Sequence, residues 1–501
     1  MKKPIVKRFT NAARRLFRRG HAMLDSTATT PVTADYYLDA VGESAAQVFD
    51  STTRTIAQAR GQFEFLNDPL FYGAAVKIAA LVCGVGPGLK IDGVTTYNAP
   101  QTVDADGRQY LESVFERYAR DIDILSSIRL ITQEMLYHGE AFIIKRKSAS
   151  TVEGYRYIFI RPERVTDPYG VSTRPNQVDG IVYNTADDSA EPVAYYIQKE
   201  PLNPNLANTP EFEFVPAGEV IHIFNKILPQ QRRGVPEIQT ALGLIREIKL
   251  LKEQEIAAVK NAAKASVILR TSDTELVDAM LESEETRTAY KPGRRGDLPQ
   301  GLFIAPPGYE PIFGDSKHPA TGFDAFKRVL SADVGGVLGI GSGKANNDHS
   351  AYNFSSAKMD EQIDATLVAV RQRLIASNFL DIVFNDWLFS FAQRDAVAAS
   401  LLDDAGAPEN VARRWLFPAP RSIDRLKDAQ ADDLELKNNT ITVEEIAARR
   451  GRDSAELWQT RALELKKQAE ILGASGLGVS TSGNVTTDAV DDPANTETGE
   501  I

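Results

Sequence analysis

The stretch VIHIFNKILPQQRRGVPEIQTALGLIREIKLLKEQEIAAVK, residues 220–260, contains the clearest structural boundary in the chain. It opens with a short apolar run, 220–224, which predicts a buried strand in which His222 is a satisfied core residue. The turn sequence RGVP follows at 233–236, and Pro236 suits the first turn of a helix. A helix of about 30 residues, roughly 45 Å long, is predicted from there to Lys264. Its apolar face consists of Ile238, Leu242, Ile245, Ile248 and Leu251.

Upstream of this boundary the chain changes from helical to β-type patterns. Residues 40–95 read as helical and then turn-rich, and 105–137 has the apolar spacing of amphipathic helices. Short β-type runs then alternate with Pro, Asn, Asp and Gly, which predicts a mixed α+β unit. These runs cover residues 141–144, 155–160, 181–183 and 193–197.

Downstream, residues 266–317 read as a small insert. It holds strands at 267–269 and 302–305, an acidic helix at 275–286 and a basic turn. A helix is predicted at 323–338, followed by a polar, glycine-rich segment, 339–353, that we expect to be an exposed or lumen-facing loop. Ser355 or Ser356 is expected to cap the next helix. In that helix Met359, Ile363, Leu367, Val370 and Leu374 recur at helical spacing.

Composition limits the class of protein. The chain has 501 residues, of which 43% are apolar and 25% charged, as in an ordinary globular protein with two to four structural units. It has no apolar run long enough to span a bilayer, and the single Cys83 excludes an intrachain disulfide. The net charge of −11 argues against a tight nucleic-acid binder, because DNA affinity comes largely from phosphate neutralisation.

The sequence shows no enzyme chemistry. A phosphate-loop interpretation of residues 339–344 fails, because Leu338 stands where the first glycine belongs and Ala345 where a magnesium-binding Ser or Thr is needed. The five histidines lack metal-ligand spacing, and no nucleophile-elbow motif occurs. We therefore expect no catalytic residue, no metal and no cofactor.

A series of motifs runs through the chain in this order: Asn67-Asp68-Pro69, the glycine cluster at 84–88, HGEAF at 138–142, the hairpin at 180–196, VIHIF at 220–224, Pro229-Gln230, RGVP at 233–236, PGYE at 307–310 and YNFSSAK at 352–358, followed by Ile423-Asp424, Lys427 and Thr442. The series resembles the lambda-type family of tailed-phage portal proteins. Within YNFSSAK, Phe354 and Lys358 stand where the family usually has Tyr and Arg.

The resemblance implies an α+β portal fold assembled as a closed ring of twelve subunits. It divides the chain into a basic N-terminal arm (1–45), a mixed α/β wing (46–235), a stem helix (236–265), a clip insert (266–317), a second stem helix (318–338), a tunnel loop (339–353), a tunnel helix and its continuation (354–395), an α-helical crown (396–472) and a disordered acidic tail (473–501).

The resemblance also implies partners and contact residues. The partners are further copies of the chain, double-stranded DNA in the channel, the terminase large subunit, head–tail connector or adaptor proteins, and the major capsid and scaffold proteins, with no membrane. The expected location is the portal vertex of the virion capsid, after assembly in the bacterial host cytoplasm. DNA-facing candidates are Ser342, Lys344, Asn346, Asn347, His349, Ser350, Asn353 and Lys358. Candidates for docking a partner at the clip are Lys291, Arg294 and Arg295.

Two other functions stay open from the sequence. One is a head scaffold or connector protein of the same virion that does not contact DNA. The other is an enzyme with divergent motifs. By composition alone, 339–353 also fits an ordinary surface loop, and the basic turn at 291–296 fits a solvated turn.

Overall fold

The computed structural model describes residues 50–95, 102–147, 155–186, 191–200, 210–264, 268–270, 303–305, 322–350, 352–418 and 424–474. The helices are α1 (Ser51–Asn67), α2 (Pro69–Cys83), α3 (Ala105–Asp121), α4 (Ile124–Tyr137), α5 (Leu242–Lys264), α6 (Phe323–Leu338), α7 (Ser342–Asn346), α8 (Phe354–Ile375), α9 (Asp381–Phe391), α10 (Ala396–Ala405), α11 (Arg425–Lys437), α12 (Val443–Arg449) and α13 (Ser454–Ala474).

The strands are β1 (Gly88–Val94), β2 (Glu140–Lys147), β3 (Tyr155–Ile160), β4 (Gln177–Val178), β5 (Ile181–Tyr183), β6 (Pro192–Gln198), β7 (Phe212–Pro216), β8 (Val220–Phe224), β9 (Ile268–Arg270), β10 (Phe303–Ala305) and β11 (Val411–Leu416). The mixed α+β prediction is thus confirmed, and β3, β5, β8 and α6 have the predicted bounds. Strands β9 and β10, in the predicted insert, pair in parallel. The acidic helix and basic turn of that insert lie outside the described residues.

The prediction of a continuous helix from Pro236 was wrong for its first turn. Residues Glu237–Ala241 form a 3₁₀ turn, and the α-helix begins at Leu242. Pro236 has an extended backbone, with ψ 127°, so it precedes the first turn instead of lying within it. The 23-residue α5 is therefore roughly 35 Å long, shorter than expected.

The contacts divide the chain into two compact units. The first combines residues 1–82 with 126–383, and the second combines 83–125 with 384–501. The boundaries predicted from the sequence, such as a wing over residues 46–235, stay predictions. The functional names given to the segments stay predictions.

The core of the first unit lies between two antiparallel sheets. One sheet has the order β3-β2-β8 and the other the order β4-β5-β6-β7. Alternate residues of these strands point inward because successive side chains of a strand face opposite sides. The shared apolar cluster comprises Phe142, Ile144, Ile160, Val165, Ile181, Tyr183, Tyr195, Ile197, Val215 and Val220.

The second unit is built on a pairing that local sequence did not indicate. Strand β1 pairs antiparallel with β11, more than 300 residues later in the chain, with an irregularity between Ile91 and Gly93. Beneath them lies an aromatic cluster in which the ring of Phe115 is 5.1 Å from Trp387 and 5.7 Å from Trp415. Lys90 bridges Glu112 and Asp453 at 3.2 Å each, which ties β1 to α3 and to the loop before α13.

Candidate functional site

Two of the quoted motifs, HGEAF and RGVP, meet at one buried carboxylate in the first unit. Glu140, at the start of β2, is fully buried and accepts hydrogen bonds from four residues. Arg233 donates to both carboxylate oxygens, at 2.8 and 2.9 Å. The Gln58 amide donates at 3.0 Å and the Gly234 backbone N–H at 2.9 Å. His222 Nε2 lies 3.0 Å away and must be its donor, because a carboxylate only accepts. We call this group the Glu140 node.

Arg233 connects the node to three carbonyl groups in two neighbouring loops. Its Nη1 donates to the carbonyl oxygens of Val165, at 3.0 Å, and Asp179, at 2.7 Å. Its Nη2 also donates to the carbonyl of Pro162 at 3.1 Å. Arg54 of α1 forms an ion pair with the Asp179 carboxylate at 2.6 Å. One planar guanidinium thus holds the segment that precedes α5 against the loops flanking β4.

Glycine is required where the two motifs touch. A Cβ on Gly139 would lie 2.0 Å from the backbone carbon of Val235, and a Cβ on Gly234 would lie 2.1 Å from the Gly139 oxygen. Gly139 also has a φ of +82°, in the left-handed region that other residues rarely adopt. The glycines beside Glu140 and Arg233 therefore allow the backbone approach that brings the charges together.

The node is charge-balanced at neutral pH. Burial by itself would raise the pKa of Glu140, but the charge of Arg233 and the hydrogen bonds from His222 and Arg233 outweigh it and hold the pKa well below its ordinary value. Burial lowers the pKa of His222, and its interactions with Glu140 offset this only in part. His222 is thus neutral and stacks on Phe142 at 4.1 Å between ring centroids, which confirms it as a satisfied core histidine.

The segment 339–353, predicted as an exposed loop, is partly helical and partly buried. Gly339 ends α6 in the left-handed conformation, and the short α7 follows. Ile340, Gly343 and Ala345 are buried. Ala345 packs on α6 at Gly335, where a Cβ would lie 3.0 Å from the Ala345 Cβ. The exposed-loop prediction was therefore wrong for residues 340–345.

Two acids of α8, one turn apart, anchor this segment. Asp364, buried in α8, accepts from Lys344 Nζ at 2.6 Å and from the Gly341 N–H at 3.0 Å. Tyr352 donates to Asp360, and its hydroxyl accepts from the Gly343 N–H at 2.8 Å. These contacts give residues 339–350 and 352–353 a defined conformation between α6 and α8.

Three of the DNA-facing candidates have contacts or caps within the chain. Lys344 is engaged by Asp364, and Asn347 accepts from Lys77 at 2.6 Å. Asn353 is the N-cap of α8, and Ser356 reciprocates in a capping box, so the expected caps at Ser355 and Ser356 were misplaced. Asn347, His349, Ser350 and Asn353 are exposed, whereas Ser342, Lys344, Asn346 and Lys358 are half-buried. Lys291, Arg294 and Arg295 lie outside the described residues.

Sequence reasoning missed Glu140, Asp360 and Asp364 as anchoring acids. The available signals were the buried position of Glu140 between apolar residues and the four-residue spacing of the two aspartates on α8. Neither signal identifies a partner. Arg233, for example, is 93 residues away from its partner Glu140 in the sequence.

Within the described residues, no three His, Cys, Asp or Glu side chains converge so as to hold a metal ion. Across the same parts of the chain no single helix is long and apolar enough to cross a membrane. Helices α1 and α2 together have the length and apolar composition of a membrane span, but they form a pair bent by 94°.

Comparison with known proteins places the chain in a class of virion proteins. Residues 40–372 match the family described as "Phage portal protein, lambda family", and this range contains both the Glu140 node and the segment 339–353. The chain belongs to the lambda family of phage portal proteins.

Three relatives are similar in sequence. "Probable portal protein" of Halomonas phage phiHAP-1 is 22% identical over 56% of this chain and 54% of its own length. "Portal protein" of Escherichia phage N15 is 21% identical over 66% of each chain. "Portal protein B" of Escherichia phage lambda is 23% identical over 69% of this chain and 71% of its own. The matches thus span between about half and seven tenths of these relatives.

Solved structures of gene transfer agent particles are similar at a low level. A chain of "Virion of native gene transfer agent (GTA) particle" has a TM-score of 0.39 and 13% identity, covering 80% of this chain and 99% of that one. A chain of "Neck of native GTA particle computed with C12 symmetry" has a TM-score of 0.39 and 12% identity, covering 87% and 99%. Scores this low establish no residue-level correspondence.

Proposed function

We propose that this chain is the subunit of a portal ring, in which twelve copies close around an axial channel at one vertex of a phage capsid. The observation that carries the proposal is the family match over residues 40–372. Rings of this kind require contacts between two different surfaces of one chain, repeated until they close. The ring is a conduit with no catalytic residue and no cofactor.

The proposed partners follow from that role. Double-stranded DNA passes through the channel during packaging and ejection. The terminase large subunit docks during packaging, and head–tail connector or adaptor proteins take its place afterwards. Major capsid and scaffold proteins surround the ring in the virion, which is assembled in the host cytoplasm without a membrane.

The charge of the chain supports a conduit that guides DNA without gripping it. The net charge is −11, and within 339–353 the charge of Lys344 is offset by Asp348. Lys344 is also neutralised locally by Asp364, at 2.6 Å. Because DNA affinity scales with the number of phosphates that cations neutralise, this segment favours sliding over tight binding.

Electron microscopy of the purified full-length chain tests the ring directly. We expect class averages with an open axial hole. Particles without such a hole would contradict the proposal. They would favour the second candidate, a head scaffold or connector that does not contact DNA, which the neutralisation of Lys344 by Asp364 also fits.

A separate experiment tests whether 339–353 faces DNA. Ser350→Glu adds a negative charge at an exposed position without removing the Lys344–Asp364 pair. We expect heads assembled with this variant to retain less DNA than heads with Ser172→Glu, an exposed serine elsewhere in the same unit. Equal DNA content in the two kinds of head would show that the segment does not meet the duplex.

Lys291, Arg294 and Arg295, which lie outside the described residues, are proposed from the sequence to dock a partner at the clip insert. Charge reversal at Lys291, Arg294 and Arg295 should weaken binding of the terminase motor most at low ionic strength, since complementary charge acts mainly on association rate. Unchanged motor binding across ionic strength would make this a solvated turn.

A further inference from the structure

Helix α8 carries an apolar stripe that remains exposed in the part of the chain that the structure describes. Met359, Ile363, Leu367 and Val370 are between 38% and 65% exposed, although their spacing is that of a packed helix face. At 100° per residue these four side chains fall within one narrow arc of the helix. We call them the α8 stripe.

The α8 stripe is not the side of the helix that the chain uses for its own core. Asp364, Val368 and Ile375 are the buried residues of α8, and they lie on an adjacent arc. The helix therefore has two apolar sides, of which the fold covers one. A soluble helix packed on one side normally presents charged and polar residues elsewhere.

The fully exposed residues around the stripe are uncharged, whereas Asp360 and Glu361 are half-buried. Between positions 359 and 370 the exposed residues are Met359, Gln362, Ile363, Thr366, Leu367, Ala369 and Val370. Contact with a phosphate backbone would require cations there, so DNA is not the occupant. Four side chains this exposed make an apolar patch of roughly 400 Å², a size that marks interaction sites on monomers. The occupant is therefore another protein surface.

The same unit carries a second exposed apolar surface, on α6. Phe326, Val329 and Val337 are exposed, and the spacing puts them on one side of that helix. The C-terminal end of α6 reaches α8, because a Cβ on Gly339 would lie 3.0 Å from Leu367. One chain thus presents two different apolar patches, which is what a head-to-tail ring contact needs on each subunit.

We propose that the α8 stripe packs against the first compact unit of the next copy of this chain, with the exposed side of α6 as the receiving surface. The inference rests on the proposed ring and names one of the contacts that closes it. A stable interface buries about 800 Å² on each partner, so the stripe is the apolar centre of a larger contact.

Ile363 and Ile227 provide a matched pair for the test. Both are isoleucines of the first unit, 53% and 54% exposed, and only Ile363 belongs to the stripe. We expect Ile363→Glu to reduce the mass measured by light scattering from that of the ring to that of the monomer, with an unchanged far-UV circular dichroism spectrum. Ile227→Glu should assemble like the unmodified chain.

The possible outcomes separate this inference from the proposed function. An Ile363→Glu variant that assembles normally overturns the α8 contact and leaves the ring in place. A monomeric unmodified chain at all concentrations overturns both. Loss of assembly in Ile363→Glu alone, with the fold retained, supports the contact.

Cysteine labelling decides the question even if Ile363→Glu fails to fold. The one native cysteine, Cys83, is buried, so an introduced thiol is the main reactive group. In the assembled protein we expect Ile363→Cys to react with a maleimide about tenfold more slowly than Ile227→Cys, because covered thiols are shielded from reagent. Equal labelling rates would refute the contact.

Discussion

Replacing Arg233 with methionine should remove the principal tie of the first unit. The guanidinium donates to Glu140 and to the carbonyls of Pro162, Val165 and Asp179, and its side chain is only 4% exposed. Without it Glu140 stays fully buried with only neutral hydrogen-bond donors, so burial raises the pKa of its carboxyl group and no guanidinium compensates its charge. Removing one partner of a buried ion pair costs about 3–5 kcal/mol, because the other charge is left uncompensated.

We therefore expect Arg233→Met to lower the free energy of unfolding by about 3–5 kcal/mol. The control is Arg161→Met, which removes a 57%-exposed arginine paired with Glu200 and should cost less than about 1 kcal/mol. Urea unfolding followed by far-UV circular dichroism measures the free energy of unfolding of each variant. Hydrogen exchange of peptides from β2 and β8 shows whether the loss falls at the node.

A second comparison separates the ion pair from the packing around it. Arg233→Met combined with Glu140→Leu should recover part of the loss, since removing both charges leaves no unpaired carboxylate. Equal losses for Arg233→Met and Arg161→Met, or no recovery in the double variant, would refute the view that the node stabilises this unit electrostatically.

Three further predictions concern other parts of the chain. His222 takes up a proton at higher pH in the unfolded chain than in the folded chain, so the free energy of unfolding should fall as the pH drops below about 6.5. The pKa of Glu140 is also depressed in the folded chain, so the loss should continue below about pH 4.3. The fall between pH 6.5 and 5 should be smaller in His222→Gln, and an identical thermal-melting profile would contradict this. Asp364→Asn should speed hydrogen exchange across 339–353, because Lys344 loses its ion pair. The control Glu361→Gln should leave the exchange rate unchanged. Equal exchange rates in the two variants would contradict the anchoring role of Asp364. Deleting residues 475–501, which show no apolar periodicity, should leave assembly intact by light scattering, and a monomeric or aggregated product would show that the tail packs.

Local patterns in the sequence were sufficient for individual helices and strands. Strand β8 and helix α6 have the predicted bounds because apolar spacing and flanking turn residues act within a few positions of each other. The motifs that resemble portal proteins are equally local, and the family match covers most of them. The spacing on α8 likewise identified a helix, but not which of its sides the chain would cover.

Tertiary structure decided the contacts between distant positions. The pairing of β1 with β11, the meeting of Glu140 with Arg233 and the anchoring of Lys344 by Asp364 each join residues whose local sequence names no partner. The segment 339–353 looked like a loop because its polar residues outnumber its apolar ones, yet Ala345 is buried by close packing on the glycine of α6. Backbone periodicity is a property of neighbouring residues, whereas burial and ion pairing depend on which surfaces the folded chain brings within a few ångströms.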